Sequence, residues 1–298
     1  MRAGLAVVLW GLLASWTHAA ELTLALYAPT APLPSAQARF AYIEGLARQL
    51  RAAGLEVQGR AFARAADLEA AIRRGQVDLA VLDAIYLAER GTSYPVLAIA
   101  TVGSETVLRW GLYTSLSAPG VLDLAGTRLA WTQVASREPV YLDNVLFDGE
   151  LRVAQHFDLR PPAPDVAAAV SEVVLRRADC VLAPDAVAAG KGLRRVFDAG
   201  RLPNPALVQV QPRLGRDLIQ QVQRTVLSTA TVGGLDGWRA SGNEPFRQLR
   251  QRLMARSSAR RFVLAEPQPL LGAVRSEVIA LDEIQPALPP LRSLLLAP

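Results

Sequence analysis

The sequence predicts an α/β protein of two similar lobes joined by two strand-like crossings, the plan of a hinged clamshell that closes around a ligand. Three observations predict it. One is a helix–strand–helix unit from Phe62 to Gly91, another its echo from Asp165 to Gly190, and the last a pair of extended segments, Thr106 to Thr114 and Ala206 to Gln211, that leave and re-enter the first lobe.

The first unit reads FARAADLEAAIRRGQVDLAVLDAIYLAERG. Asp67 is placed to cap a helix whose Leu68, Ala71 and Ile72 share one face. Arg73 and Arg74 fall in its last turn, where the helix dipole favours cations, and Gly75 stops it. Leu79 to Leu82 is an apolar run too short for a helix, which suits a strand buried on both faces, and Asp83 opens the next helical pattern. In the echo, a helix from Asp165 closes on Arg176 and Arg177, Asp179 matches Asp78, Cys180 to Ala183 is the buried run, and Asp185 stands at a helix start. Each copy is preceded by a strand, a Ser/Thr-bearing loop and a helix, so the repeat is clearer in element order than in letters.

The remaining elements follow in order. Residues 1–20 have Arg2, an apolar run from Ala3 to Trp16 and small residues at Ala19-Ala20, the pattern of a cleavable secretory signal that sends the chain to the periplasm or outside the cell. Glu21 to Tyr27 is β-rich, and three prolines in APTAPLPS delay a helix until Ala36. The helix Ala36 to Ala53 puts Phe40, Ile43, Leu46, Ala47 and Leu50 on one face. Val57 to Phe62 and Pro95 to Val102 complete a first lobe of four parallel strands. Thr127 to Trp131 begins the second sheet, a helix spans Pro139 to Phe147, and Pro203-Asn204-Pro205 marks the return. Leu214 to Ala230 and Pro245 to Met254 are helical, with Gly233-Gly234 between. The expected division is residues 21–105 with 206–265 as lobe 1, residues 106–205 as lobe 2, and residues 266–298 as a Pro-rich strap or tail.

Composition removes several function classes. The chain has 298 residues and is 51% apolar, enough for one large or two medium globular domains. Its net charge of +5 is carried almost wholly by arginine, Lys191 being the only lysine, which points to coding bias rather than a selected basic surface. The arginines from Arg247 to Arg261 read as a solvated helix face, not a nucleic-acid patch. Cys180 is the sole cysteine and sits in a predicted buried strand, so it reads as packing. With His156 the only histidine after the leader and no Gly-x-Ser-x-Gly elbow, neither a catalytic set nor a metal set assembles. Gly190-Lys191-Gly192 lacks the spacing of a P-loop. No enzyme, no cofactor and no nucleic-acid partner is expected.

Gly75-x-Val77-Asp78 before its strand, Tyr86 just beyond, and Asp123-Leu124-Ala125-Gly126-Thr127-Arg128-Leu129-Ala130 at the approach to the second lobe resemble the type 2 periplasmic solute-binding proteins, in particular the phosphate/phosphonate branch, over residues 22 to 255. The resemblance implies a periplasmic-binding-protein type 2 clamshell with two crossover strands. It also implies a protein without catalytic activity that delivers a small solute to an ABC-type transporter; the expected partners are a small anion and the transporter's permease, and the expected state is a monomer. The runner-up is a clamshell that senses a ligand or acts as a scaffold, partnering a sensor kinase or an envelope complex without transport. In the branch the second-lobe loop resembles Ser-Thr-Ser-Gly, whereas Val134-Ala135-Ser136-Arg137 here keeps one hydroxyl, and Pro161 to Asp165 stands where the branch carries a histidine.

In open α/β sheets a ligand lies beyond the carboxyl ends of the strands, against helix N-termini. That rule selects four loops and these candidate residues: Tyr27 and Thr30; Asp83 and Tyr86; Thr132, Ser136 and Arg137; and Asp185. Arg137 offers a fork for phosphate or carboxylate, or points to solvent. Ser136 and Thr132 offer hydroxyls, and Ser136 alternatively serves as a cap. Tyr86 either meets ligand or packs on a strand. Asp83 and Asp185 either accept hydrogen bonds from a ligand or cap helices.

Overall fold

The structure, a computed structural model, describes residues 21–91, 93–134, 139–229 and 234–255. The expected leader, residues 1–20, and strap, residues 266–298, lie outside the described residues. In chain order the first half lays down β1 (Leu22–Tyr27), α1 (Ala36–Ala52), β2 (Val57–Ala61), α2 (Ala65–Arg73), β3 (Leu79–Leu82), α3 (Ala84–Arg90) and β4 (Val96–Thr101). The chain then crosses to β5 (Val107–Thr114), β6 (Arg128–Ala130), α4 (Val153–His156), β7 (Asp158–Leu159), α5 (Val166–Val174), β8 (Cys180–Pro184), α6 (Asp185–Ala188) and β9 (Arg194–Pro203). It returns through β10 (Ala206–Gln209), α7 (Arg216–Leu227), β11 (Gly237–Ala240) and α8 (Glu244–Met254).

Two sheets result, in the orders β11-β4-β10-β3-β1-β2 and β7-β6-β8-β5-β9. The period of two along each strand sends alternate side chains to opposite faces. Leu24 and Leu26 of β1 and Leu79 and Val81 of β3 pack under α1 and α7, while Ala25, Tyr27, Ala80 and Leu82 face a core that continues into the second lobe. The expected four parallel strands of lobe 1 keep one direction, but β3 and β4 are not neighbours: β10 runs antiparallel between them. β11, in the stretch read as wholly helical, pairs antiparallel with β4 and makes the outer edge. The expected helix over Pro139 to Phe147 is a short turn whose bonding over Leu142–Leu146 is of the wide π type.

The two repeat copies share one device. Asp78 exchanges two bonds with Thr23 of β1, Thr23 N–H donating to Oδ2 at 2.9 Å and Asp78 N–H to the Thr23 carbonyl at 3.0 Å. Asp179 does the same with Arg128 of β6, at 2.9 and 2.8 Å. Three residues ahead of each Asp the helix must end in a left-handed residue. Gly75 takes φ +68° without strain, whereas the second lobe puts Arg176 there at φ +59°.

Three local expectations change. Asp67 does not cap α2; the cap position is Arg64, with no side-chain cap bond, and Asp67 pairs with the Arg64 guanidinium at 2.9 Å. Phe40 is 57% exposed, because the buried stripe of α1 runs through Tyr42, Ile43, Leu46, Ala47 and Leu50 and leaves Phe40 outside it. The arginines of α8 are not all solvated: Arg250 donates to the Ala88 and Glu89 carbonyls of α3 at 3.0 and 2.7 Å, and Arg252 to Val145 of the second lobe at 2.6 Å. The crossings are braced by Asn204, fully buried, whose amide donates to the Ala100 and Glu105 carbonyls at 2.9 Å each.

The repeat comparison predicts opposite outcomes at matched positions. Gly75→Ala should lower stability by about 1 kcal/mol and Arg176→Gly should raise it by about 0.5 to 1 kcal/mol, since only the second relieves a left-handed side-chain residue. Urea unfolding of both variants checks this, and a loss of stability in Arg176→Gly would contradict it. Asn204→Ala leaves the Ala100 carbonyl and its neighbours without a buried donor and should cost about 1 to 3 kcal/mol in the same assay.

Candidate functional site

A chamber of about 400 Å³ lies beyond the carboxyl ends of β1 and β2 on one side and of β6 and β7 on the other. Tyr27 and residues 63–66 line it from lobe 1, Gln133 and residues 162–164 from lobe 2. Its size falls within the range usual for small-molecule sites. Residues 64–66 are the cap and first turn of α2, and because Arg64 turns its side chain to Asp67, no side chain caps that turn. The helix therefore presents its positive end and its unpaired N–H groups at the chamber wall. The hydrogen bond from Arg64 also holds the Asp67 carboxyl below its ordinary pKa.

Behind Tyr27 lies a buried polar cluster. β1 and β3 are parallel neighbours, with Tyr27 opposite Leu82, so the loops that follow them run side by side. Asp83, wholly buried, accepts at Oδ2 from Thr30 N at 3.1 Å and Thr30 Oγ1 at 2.6 Å, and at Oδ1 from Ile85 N at 2.9 Å. Of its two expected roles, the cap is the one these bonds describe. Burial pushes its pKa up, and the hydrogen bonds from Thr30 and the backbone pull the other way. Tyr86 is also wholly buried, its ring edge-on to Tyr27 at 5.4 Å and 70° and under the Arg90 guanidinium at 5.4 Å. Its packing role is therefore real, and its hydroxyl is buried with no hydrogen-bond partner among the described residues.

Lobe 2 reaches this cluster through Tyr141. Its hydroxyl donates to the Thr132 carbonyl, and burial first, then the charge of Asp83, raises its pKa. Thr132 is buried, and its Oγ1 has no partner among the described residues. Thus Tyr27, Thr30, Asp83, Tyr86 and Thr132 meet at the junction of the lobes. Asp185 does not join them. It is the first residue of α6, not a cap, and accepts from the Tyr113 hydroxyl and from Arg195 Nη1 at 3.1 Å. The physical reason is the pairing of β8 with β5 and of β5 with β9, which sets Tyr113 and Arg195 beside it. Ser136 and Arg137 lie outside the described residues.

The strand-end rule applied to the loop after β2 would have found residues 63–66, which sequence reasoning passed over for the loop after β3. Tyr141 carried no such signal, since its role comes from a contact between lobes. Cys180 is buried in β8 as expected, its thiol pushed up to about 12 by burial. His156 ends α4 and bonds the Val121 carbonyl at 2.9 Å.

No protein-family model matches the chain, and no curated protein does. Solved structures do. A binding-protein component of an ABC phosphonate transporter from Pseudomonas aeruginosa aligns with a TM-score of 0.61 at 11% identity, over 78% of this chain and 84% of that one. PhnD1 from Prochlorococcus marinus in complex with methylphosphonate gives 0.59 at 12% identity, over 78% and 96%. A Xanthomonas citri protein bound to chloride gives 0.56 at 13%, over 78% and 96%. The chain has the two-lobed periplasmic-binding-protein type 2 fold. Binding proteins of phosphonate ABC transporters are among its structural neighbours.

Thr30→Val removes the hydroxyl donor and leaves a buried carboxylate under-satisfied, a loss of about 1 to 3 kcal/mol. The sign with pH follows from linkage: the folded pKa of Asp83 is raised, so ionisation opposes folding increasingly as pH rises above the unfolded value of about 3.9. Without the Thr30 donor the pKa rises further, so the stability gap to the parent should widen from pH 3 to pH 7 in urea titrations. A gap independent of pH would refute the assignment.

Proposed function

We propose that this protein is an exported solute-binding protein that captures a small anion in the chamber between its lobes and delivers it to the permease of an ABC-type transporter. The observation that carries the reading is the uncapped first turn of α2 at the wall of a chamber of about 400 Å³, with Tyr27 and Gln133 as polar neighbours. Unpaired N–H groups and the positive end of a helix suit phosphate, phosphonate or carboxylate groups. The likeness of fold to binding proteins of phosphonate transporters supports the same class of solute. In this reading Tyr27, Thr30, Asp83, Tyr86 and Thr132 shape and support the chamber, Ser136 and Arg137 of the loop after β6 complete its anion contacts, and Asp185 serves the second lobe alone. Residues 21–105 and 206–265 act as one lobe, residues 106–205 as the other, the crossings around Asn204 act as the hinge, and residues 1–20 direct the mature monomer to the periplasm. Residues 266–298 are the strap or tail.

A specific observation favours a second reading, a clamshell that senses or scaffolds without transport. α8 bonds both lobes at once, through Arg250 to α3 and through Arg252 to Val145, and such a bracket limits how far they part. Titration calorimetry with phosphate, phosphite, methylphosphonate and longer alkylphosphonates tests the ligand class. Binding to at least one is expected, and none across the panel would overturn the anion reading. Ala65→Pro, which removes one N–H of the first turn of α2 where proline is tolerated, should weaken the bound anion roughly tenfold, about 1.4 kcal/mol, with little change in melting temperature.

A further inference from the structure

We propose that Arg39 and Asp165 form a latch that ties the two lobes together by protein–protein contacts alone and closes off one end of the chamber. Arg39 lies in the first turns of α1 in lobe 1, and Asp165 is the cap residue of α5 in lobe 2. One oxygen of Asp165 accepts from Ala168 N at 2.8 Å, which fixes the carboxylate; the other accepts from Arg39 Nη1 at 2.6 Å. The next residue repeats the tie through the backbone, Val166 N–H donating to the Pro29 carbonyl at 2.9 Å. Both charged side chains are nine-tenths buried, at 11% and 9% exposure, and among the described residues neither makes another ion pair. That separates this pair from the exposed ones elsewhere in the chain, such as Arg64–Asp67 at 76% and 51%, which water and salt weaken.

Its place in the cleft gives the latch its second role. The chamber is lined by Tyr27 from lobe 1 and residues 162–164 from lobe 2. A second cavity of about 360 Å³ is lined by residues 32–34 from lobe 1 and by Ala167 and Val170 from lobe 2. Pro29 falls between Tyr27 and residues 32–34 in the lobe 1 segment, and Asp165 and Val166 fall between residues 162–164 and Ala167 in the lobe 2 segment, so the tie stands as a partition between two compartments of one cleft. The partition, though not the tie, rests on the chamber being the ligand site. A solute longer than the chamber would have to break the ion pair to be enclosed, which makes Arg39 a positioning residue that sets ligand length without forming the anion site.

The test measures lobe separation in the full chain without added solute. Nitroxide labels at Arg48→Cys and Gln155→Cys, one exposed site in each lobe, report the distance by pulsed electron resonance, and buried Cys180 does not compete for the label. Arg39→Met keeps the apolar stem, and Asp165→Asn keeps the oxygen that caps Ala168. The parent should give one narrow distance, and each variant should gain a longer-distance population at least tenfold above the parent's. The double variant should open no further than the singles, because both remove one interaction. Ser35→Ala, which deletes the α1 cap at 3.1 Å from Ala38 N but not the latch, should leave the distance unchanged. Unchanged distances in Arg39→Met and Asp165→Asn, or a parent already spread over both distances, would overturn the proposal. Circular dichroism verifies folding, and if Asp165→Asn does not fold, Arg39→Met decides alone. Methylphosphonate added to each form separates the two readings: if it closes none of the variants while they open as described, the latch stands and the anion reading falls.

Discussion

Two carboxylates set the frame on which everything else hangs. Asp78 and Asp179 each stand one residue ahead of a buried strand and exchange two hydrogen bonds with the first parallel strand of their own sheet, through Thr23 and Arg128. A shift by one residue would move every side chain of β3 or β8 to the other face. With the starts pinned, the ends are level: Tyr27 lies opposite Leu82, and the loops that follow can bond through Thr30 and Asp83. The chamber at the strand ends is thus a consequence of bonds made at the strand beginnings, a strand's length away.

The junction between the lobes combines two unlike environments. Asp83 is a carboxylate with no exposure, held by neutral donors and surrounded by Tyr27, Tyr86 and Tyr141, so burial works against its charge. On the other side of Tyr27, the first turn of α2 offers positive potential to the open chamber. Keeping these apart matters, because an acid facing the chamber would repel the solute that the helix end attracts. The three hydrogen bonds to Asp83, two from Thr30 and one from Ile85, turn it inward and make it an anchor for α3 and the Thr30 loop.

The lobes are also joined more firmly than two crossings alone would achieve. Asn204 braces the crossings, α8 bonds α3 and the turn at Val145, Arg39 meets Asp165, and one apolar core runs from Tyr27 and Leu82 to Phe147 and Phe246 without a break. Any opening must give up some of these contacts, so the motion that admits a solute is coupled to specific bonds.

Periodicity and stop signals made the fold legible. The apolar runs at β3 and β8, the stop at Gly75 and the repeat of Asp78 in Asp179 are local patterns, and each depends on backbone geometry that a few neighbouring residues dictate. Because strand ends in such a sheet converge, Tyr27, Thr30, Asp83, Tyr86 and Thr132 could be picked from the sequence as neighbours. What it could not carry was partner choice over long separations. Asp185 looked like Asp83, yet strand pairing gave it Tyr113 and Arg195 in place of a helix to cap. β10 wedges between β3 and β4 from more than a hundred residues away, α8 spends Arg250 and Arg252 on carbonyls of both lobes, and Arg39 finds Asp165 across the cleft. Local pattern determines which elements form and which face they bury; only the packed chain decides which polar groups meet, because hydrogen bonds and ion pairs act over a few ångströms between residues that the sequence keeps far apart.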